Sequence, residues 1–355
     1  MTKELLKGNI AIAKGALACG CSCYFGYPIT PQTEIGEYLS SEMPKRELAY
    51  VCAESELAAI NMALGATATG AKALVTSSSC AVALMQETMS YAYSDELPIV
   101  LVNVMRAGPG QGYIFPSQGD YNQAVYGGGN GDYRTIVLSP SDVQECADMI
   151  QRAFYLSRKY KTPTMLLVDG ALGQLAEPAE IKENLYPEIS SSHWELIGSR
   201  CECSRNIHSL QPDQNKLNQH ILTLRNKFEV VERDEVEYEE YRMEDAVIVL
   251  TAFGSMARNL KGVVDFYRDN GVKVGLFRPK TLYPFPYQRL REISQRAELF
   301  IDIEMNLGQM LKDVILATSP NAPVSFIGKA VGDWLTFEEI EEQITTLLKD
   351  QYANI

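Results

Sequence analysis

Apolar positions recur at mixed i, i+3 and i+4 spacing over residues 5–17, and Gly20 follows them, which predicts a helix with a glycine stop. Tyr24-Phe25-Gly26-Tyr27 reads as a short strand that the chain leaves sharply at Pro28. Residues 56–70, rich in Ala, Leu and Met, predict a helix, and residues 73–76 a buried strand running into Ser77-Ser78-Ser79. A further helix is predicted over 82–91, a β-rich run over 98–105 and a shorter one over 136–138. Ser139 has the chemistry of a helix N-cap, with Pro140 at the first helical position and Asp142 at the third. Residues 164–168 give the last strand of this half. Strands alternating with helices imply a layered α/β domain with a mainly parallel sheet.

The pattern lapses twice. Residues 106–134 are rich in Gly, Gln, Tyr and Asn, a length of loop that is uncommon in compact domains unless it has a function. It follows a strand, where open α/β sheets place their ligands, so it either forms a site or contacts a partner. Residues 184–245 then change character, with a helix predicted over 213–228. Nine acids follow in the seventeen positions 229–245, against only Arg233 and Arg242, which reads as a solvated connector face. A second α/β domain starts with the apolar run 247–250, a turn at Phe253-Gly254-Ser255-Met256, a helix ending near Gly271 and a strand over 272–277.

A length of 355 residues fits two domains with a connector. With 46% hydrophobic and 22% charged residues, the chain can build a sizeable core. The longest apolar run, near residues 97–105, is broken by Asn103 and is too short to cross a bilayer. The first residues carry no signal-like apolar stretch, so a cytoplasmic location is expected. The net charge of −13, with an acidic stretch as its largest charge cluster, excludes a phosphate-neutralising nucleic-acid binder. None of the eight cysteines forms a C-x-x-C pair, so free thiols are expected, with Cys19-x-Cys21-x-Cys23 left as a metal or redox alternative. His193, His208 and His220 lie close together and no histidine precedes them, which excludes a Ser-His-Asp or Cys-His site in the N-terminal half. Chemistry there falls to carboxylates, arginines or a cofactor.

Gly108-Pro109-Gly110-Gln111-Gly112 does not have dinucleotide-fingerprint spacing, and no G-x-x-x-x-G-K-[ST] phosphate loop occurs. Three features remain. In Gly26-Tyr27-Pro28-Ile29-Thr30-Pro31 a hydroxyl stands between two prolines after a strand, either as a helix N-cap in a rigid turn or as a ligand contact. Glu54-Ser55-Glu56 enters an otherwise apolar helix, where a carboxylate either caps the helix or is a buried acid. Arg106 ends a strand, where it either anchors a loop or reads a carboxylate bidentately.

Together, Tyr27-Pro28-Ile29-Thr30-Pro31, Ala53-Glu54-Ser55-Glu56, Thr76-Ser77-Ser78-Ser79 and Met105-Arg106 resemble the α subunit of the 2-oxoacid:ferredoxin oxidoreductases. Gly131-Asp132-Tyr133-Arg134, Leu172-Gly173-Gln174 and the run from Glu304 to Met310 extend the likeness over nearly the whole chain. The 2-oxoisovalerate (3-methyl-2-oxobutanoate) type is the closest variant and the 2-oxoglutarate type a near relative.

The resemblance implies a thiamine-diphosphate-binding fold, with residues 1–185 as the pyrimidine-binding domain, 186–245 as an acidic, partly helical connector and 246–355 as a transketolase C-terminal-like domain. It implies that Glu56 is the catalytic and cofactor-binding glutamate, hydrogen-bonded to the aminopyrimidine, and that Thr30 and Arg106 bind substrate. The cofactor then carries the decarboxylation and its own acid–base group, which accounts for the missing histidines. The G-D-G motif for the diphosphate and its metal is absent here, as are cluster-binding cysteines. The family places diphosphate, Mg²⁺ and an iron–sulfur cluster on a β subunit, alongside a ferredoxin-like subunit and a small γ-type subunit. The expected reaction converts a 2-oxoacid and CoA to acyl-CoA and CO₂ and reduces ferredoxin. The alternatives are the same reaction on 2-oxoglutarate or pyruvate, a transketolase-like split enzyme, and a non-catalytic scaffold subunit.

Overall fold

A computed structural model describes residues 3–198, 205–332 and 334–352; Cys201 and Cys203 lie outside the described residues. In chain order the first half contains β1 (Glu4–Lys7), α1 (Gly8–Ala18), β2 (Cys23–Gly26), α2 (Thr33–Lys45), β3 (Ala49–Cys52), α3 (Glu56–Ala68), β4 (Ala73–Ser77), α4 (Cys80–Ala83), α5 (Gln86–Ser94) and β5 (Val100–Met105). It continues through α6 (Tyr121–Val125), β6 (Ile136–Leu138), α7 (Val143–Tyr160), β7 (Thr164–Asp169), α8 (Gly170–Gln174) and β8 (Ala176–Ala179). After α9 (Gln214–Asp234) come β9 (Tyr238–Tyr241), β10 (Ile248–Thr251), α10 (Gly254–Asp269), β11 (Val274–Pro279), β12 (Thr281–Tyr283), α11 (Tyr287–Ser294), β13 (Leu299–Glu304), α12 (Leu311–Thr318), β14 (Val324–Gly328) and α13 (Phe337–Tyr352).

The first half is built on a seven-stranded sheet of order β12-β6-β7-β5-β4-β2-β3, parallel except for β12. Its inner strands β4, β5 and β7 are buried at every position, the pattern of a sheet covered on both faces. The second half has a five-stranded sheet, β14-β13-β10-β11-β9, with only β9 antiparallel to its neighbour. The halves interlock. β12 leaves the second half to pair with β6, and one hydrophobic cluster runs from α1 through the large sheet to Phe253, Phe277 and Met310. Close approach at this junction requires a glycine. Gly254 opens α10 at φ +60°, and a Cβ there would lie 2.8 Å from Gln118 Nε2 and 2.9 Å from Asp169 Oδ2.

Four local expectations need correction. Residues 4–7 form a strand, because they pair with Ala176–Ala179, and the helix begins only at Gly8. The helix expected over 82–91 is two helices, because at Leu84 and Met85 the backbone bonds tighten to the residue three back. Ser139 is no N-cap. Its N–H bonds Lys280 O across to β12, and Asp142 caps α7 by accepting from Glu145 N at 2.7 Å. The acidic stretch is a solvated face only in part, with Glu229, Glu232, Asp234, Glu237, Glu244 and Asp245 exposed. It is the end of α9 and the edge strand β9, with Glu235 accepting from Lys159 Nζ and Tyr160 Oη at 2.6 Å, Glu239 paired with Arg278 and Glu240 with Arg289.

Candidate active site

The sequence-predicted site residues Thr30, Glu56 and Arg106, and Ser79 with them, follow strands of the large sheet at one edge. Thr30 follows β2, Glu56 β3, Ser79 β4 and Arg106 β5, and these four strands are parallel, with Gly26 level with Cys52 and Thr76, and Ser77 level with Asn103. The chain order reverses between β2 and β4, which is where open α/β sheets bind ligands. With strands about 4.8 Å apart, the ends of β5 and β3 are separated by three spacings, about 14 Å. Glu56 and Arg106 thus start from strand ends too far apart to converge on one atom.

The turn after β2 is held from below. Thr76 Oγ1 donates to Gln32 Oε1 at 2.5 Å, Gln32 Nε2 donates to Tyr27 O at 3.1 Å, and Tyr24 Oη lies 2.8 Å from Thr76 Oγ1. Thr30 is exposed and caps no helix, since α2 begins three residues later with Gln32 at its N-cap. Its carbonyl accepts from Arg106 Nη1 at 3.1 Å, so the structure brings Thr30 and Arg106 together.

Arg106 also donates from Nη2 to Gln111 O and meets Cys80 Sγ, both at 3.1 Å. Its Nε is buried without an acceptor. A buried donor left unpaired costs about 1–3 kcal/mol, which a bound carboxylate or carbonyl would recover. The loop beyond turns back at once, with Ala107 N bonded to Phe115 O and Tyr113 N to Ala107 O, and it presents Tyr113, Ile114 and Phe115 about half exposed.

At Glu54-Ser55-Glu56 the capping function falls to Ser55, whose Oγ accepts from Ala58 N at 3.2 Å. Glu54 is exposed. Glu56 is half-buried in the first turn of α3, where the helix dipole favours its negative charge. Its carboxylate makes no hydrogen bond or ion pair among the described residues. The exposed face of α3 beyond it, Leu57, Asn61, Met62 and Gly65, carries no charge.

Sequence reasoning left Ser77–Ser79 without a role and passed over Asp120. Ser79 sits at φ +38°, ψ −97°, a backbone state costing a non-glycine residue about 1–3 kcal/mol. It is held there by Asn103 Oδ1, which accepts from Ser79 N at 2.9 Å, and by Asp120, whose Oδ2 accepts from Ser79 Oγ at 2.6 Å and Asn103 Nδ2 at 3.0 Å. Burial pushes the Asp120 carboxyl up, against the pull of Ser79, Asn103 and Arg106. The visible signal was Asn103, a polar residue inside an otherwise apolar strand. Ser77 and Ser78 have buried hydroxyls without partners. The thiols of Cys19, Cys21 and Cys23 are interior packing groups, which burial pushes up to about 12 for Cys19 and about 11 for Cys23.

The protein is a doubly wound α/β half with polar residues at its switch point, interlocked with a second α/β half, and its family is of the thiamine-diphosphate-binding class. Residues 14–245 match the family described as pyruvate flavodoxin/ferredoxin oxidoreductase, thiamine diphosphate-binding, and residues 246–340 match pyruvate:ferredoxin oxidoreductase core domain II. The chain belongs to this family and is an oxidoreductase subunit of the 2-oxoacid:ferredoxin type. It is 44% identical over 344 residues to the ketoisovalerate oxidoreductase subunit VorB of Methanothermobacter marburgensis, covering 97% of each chain. To the 2-oxoglutarate synthase subunit KorA of Methanothermobacter thermautotrophicus it is 33% identical, covering 97% of this chain and 99% of that one. Among solved structures, the 2-oxoglutarate:ferredoxin oxidoreductase of Magnetococcus marinus, determined with 2-oxoglutarate, coenzyme A and succinyl-CoA bound, superposes with a TM-score of 0.84 at 25% identity. That match covers 97% of this chain but 65% of the other. A split-gene transketolase at 12% identity and a TM-score of 0.57 shares the fold alone, over 96% of this chain and 95% of that one. No helix among the described residues is long and apolar enough to cross a membrane.

Proposed function

We propose that this chain is the α subunit of a cytoplasmic, heteromeric enzyme that oxidatively decarboxylates 3-methyl-2-oxobutanoate with CoA to acyl-CoA and CO₂ and passes the electrons to ferredoxin. The likeness to the ketoisovalerate subunit, well above that to the 2-oxoglutarate subunits, carries the choice of substrate. The site agrees with it. The loop beyond Arg106 presents Tyr113, Ile114 and Phe115 and has no Lys or Arg from Ala107 to Gly131, so it suits a branched aliphatic side chain and offers no cation to a second carboxylate.

Arg106, with its unpaired Nε, binds the substrate carboxylate, and Thr30 beside it offers a free hydroxyl to the same molecule. Glu56 binds the pyrimidine end of the thiamine. An unpartnered, half-buried carboxylate at an uncharged helix start suits a ring nitrogen that must carry a proton. When bound, the thiamine supplies the electron sink for decarboxylation. Glu56 holds the proton on the ring, and Arg106 and Thr30 orient the 2-oxoacid. No group of three or more His, Cys, Asp or Glu able to hold a metal occurs among the described residues. In this reading the diphosphate, Mg²⁺ and iron–sulfur cluster belong to a β subunit, with ferredoxin-like and γ-type subunits completing the complex.

The test is anaerobic purification of the complex through a tag on this chain, followed by assay of thiamine, iron and 2-oxoacid-dependent ferredoxin reduction. Thiamine and iron should arrive with a cysteine-rich partner, and 3-methyl-2-oxobutanoate should be turned over with the highest kcat/KM. A preference for 2-oxoglutarate or pyruvate would overturn the substrate. Co-purification with partners that hold neither thiamine nor iron would overturn the enzyme and favour a scaffold.

A further inference from the structure

The segment between the two glycine-rich stretches of the long loop is bonded on both sides. On one side it is tied to the second half of the molecule. Gln118 N donates to Met305 O at 2.8 Å, Gln118 Oε1 accepts from Met305 N at 3.1 Å, and Asn306 Nδ2 donates to Gln118 O at 2.9 Å. Gln309 Nε2 donates to Gly119 O at 2.7 Å, and its Oε1 accepts from Asn122 N at 2.8 Å. On the other side Asp120, in the middle of this clamp, reaches Ser79 just after β4 and Asn103 within β5.

Ser79 passes the constraint on. Its hydroxyl has one proton, and the Asp120 carboxylate at 2.6 Å is a better acceptor than Arg106 O at 3.1 Å. The hydroxyl lone pairs are then turned to Arg106 N–H, which donates at 2.8 Å. Asp120 therefore fixes the backbone from which the Arg106 side chain springs, and it does so from a segment whose own position the second half sets.

We propose that Asp120 is a positioning residue for Arg106, acting through Ser79, and that it makes capture of the substrate carboxylate depend on the seating of the 304–309 loop on the 117–122 segment. The inference rests on the proposed role of Arg106 as the carboxylate-binding residue. A bidentate fork is sensitive to displacement, so the loss falls on 2-oxoacid binding rather than on the complex as a whole.

The experiment compares Asp120→Ala, Asp120→Asn and Ser79→Ala in the assembled complex. KM is measured for 3-methyl-2-oxobutanoate and for CoA, and calorimetry measures binding of 2-hydroxy-3-methylbutanoate, which keeps the carboxylate but cannot be decarboxylated in the same way. Asp120→Ala and Ser79→Ala should raise the 2-oxoacid KM and the hydroxy-acid Kd about tenfold, with the KM for CoA unchanged. Asp120→Asn keeps an oxygen that can accept from Ser79 and Asn103, and should restore most of the binding. The proposal is overturned if Asp120→Ala leaves the 2-oxoacid KM at its original value, or if both KM values, kcat and the melting temperature all deteriorate together. Ser79→Ala decides the matter if Asp120→Ala does not assemble, because it breaks the same link from the other end. An unmodified complex that neither turns over nor binds any 2-oxoacid would overturn the functional reading, and this inference with it.

Discussion

Arg278 ties the two halves of the molecule together, and replacing it with methionine tests how much of the architecture depends on one buried charge. It lies on β11, its side chain only 1% exposed, and donates from Nη1 and Nη2 to the two oxygens of Glu145 on α7, each at 2.7 Å. Its Nε donates to Glu239 on the edge strand β9 at 2.8 Å. Methionine keeps most of the apolar stem but leaves two largely buried carboxylates short of a partner. Breaking a buried ion pair from one side costs about 3–5 kcal/mol, because the remaining charge stays desolvated. Lys280, 2.9 Å from Glu145, and Lys261, paired with Glu239, remain in place, so the expected loss is about 2–4 kcal/mol.

The same pair fixes the pH at which that loss should appear. Burial alone would raise the Glu145 carboxyl, but the Arg278 fork and then Lys280 more than reverse this and hold it at about 2, against an ordinary 4.5. A carboxyl lowered by folding contributes stability that is full above 4.5 and disappears as the pH falls towards 2. The difference corresponds to about 3 kcal/mol, of which about 2 is lost by pH 3. Urea midpoints of the original chain and of Arg278→Met, measured from pH 7 down to pH 3, report both quantities. Other carboxyls titrate in both proteins and cancel in the difference, so the gap should be widest near neutrality and narrow below pH 4.5. A gap that stays constant or widens on acidification would refute the assignment of this stability to the Arg278–Glu145 pair.

Glu56→Gln in the assembled complex should lower kcat about 100-fold or more, the scale of a lost acid–base partner, while subunit composition on size exclusion stays the same. Met62→Asp places a charge on the uncharged exposed face of α3. It should leave the unfolding free energy of the isolated chain, from urea titration, within about 0.5 kcal/mol of the original and prevent co-elution with the partner subunit. Unchanged co-elution would show that the proposed β subunit does not dock on the face of α3 beside Glu56.

The layered α/β plan was legible because the strands that matter are continuous apolar runs. Residues 100–105 and 164–168 announce buried parallel strands without help from any distant contact. What failed was set by partners far along the chain. Residues 4–7 become a strand through Ala176–Ala179, and Ser139 loses its cap role to a bond with Lys280. Acids at 235–240 read as solvated because the cations that pair with them, Lys159, Arg278 and Arg289, lie tens of residues away. Local pattern has no access to such contacts.

The site divides along the same line. Glu56 starts a helix, Arg106 follows a strand and Thr30 stands between two prolines, and in each place a lone polar residue is conspicuous. Asp120 sits among Gly, Gln, Tyr and Asn, where one more polar residue carries no contrast, yet it joins Ser79 and Asn103 beneath Arg106. The distinction is one of contrast: Thr30, Glu56 and Arg106 border regular apolar elements, whereas Asp120 lies in a polar loop whose position distant contacts set. The 304–309 loop supplies those contacts. Glu304 accepts from the N–H groups of Met310 and Leu311 and from Asn306 Nδ2, so the buried carboxylate shapes a turn whose outer residues grip Gln118 and Gly119. The second half of the molecule thereby sets the position of the segment that carries Asp120.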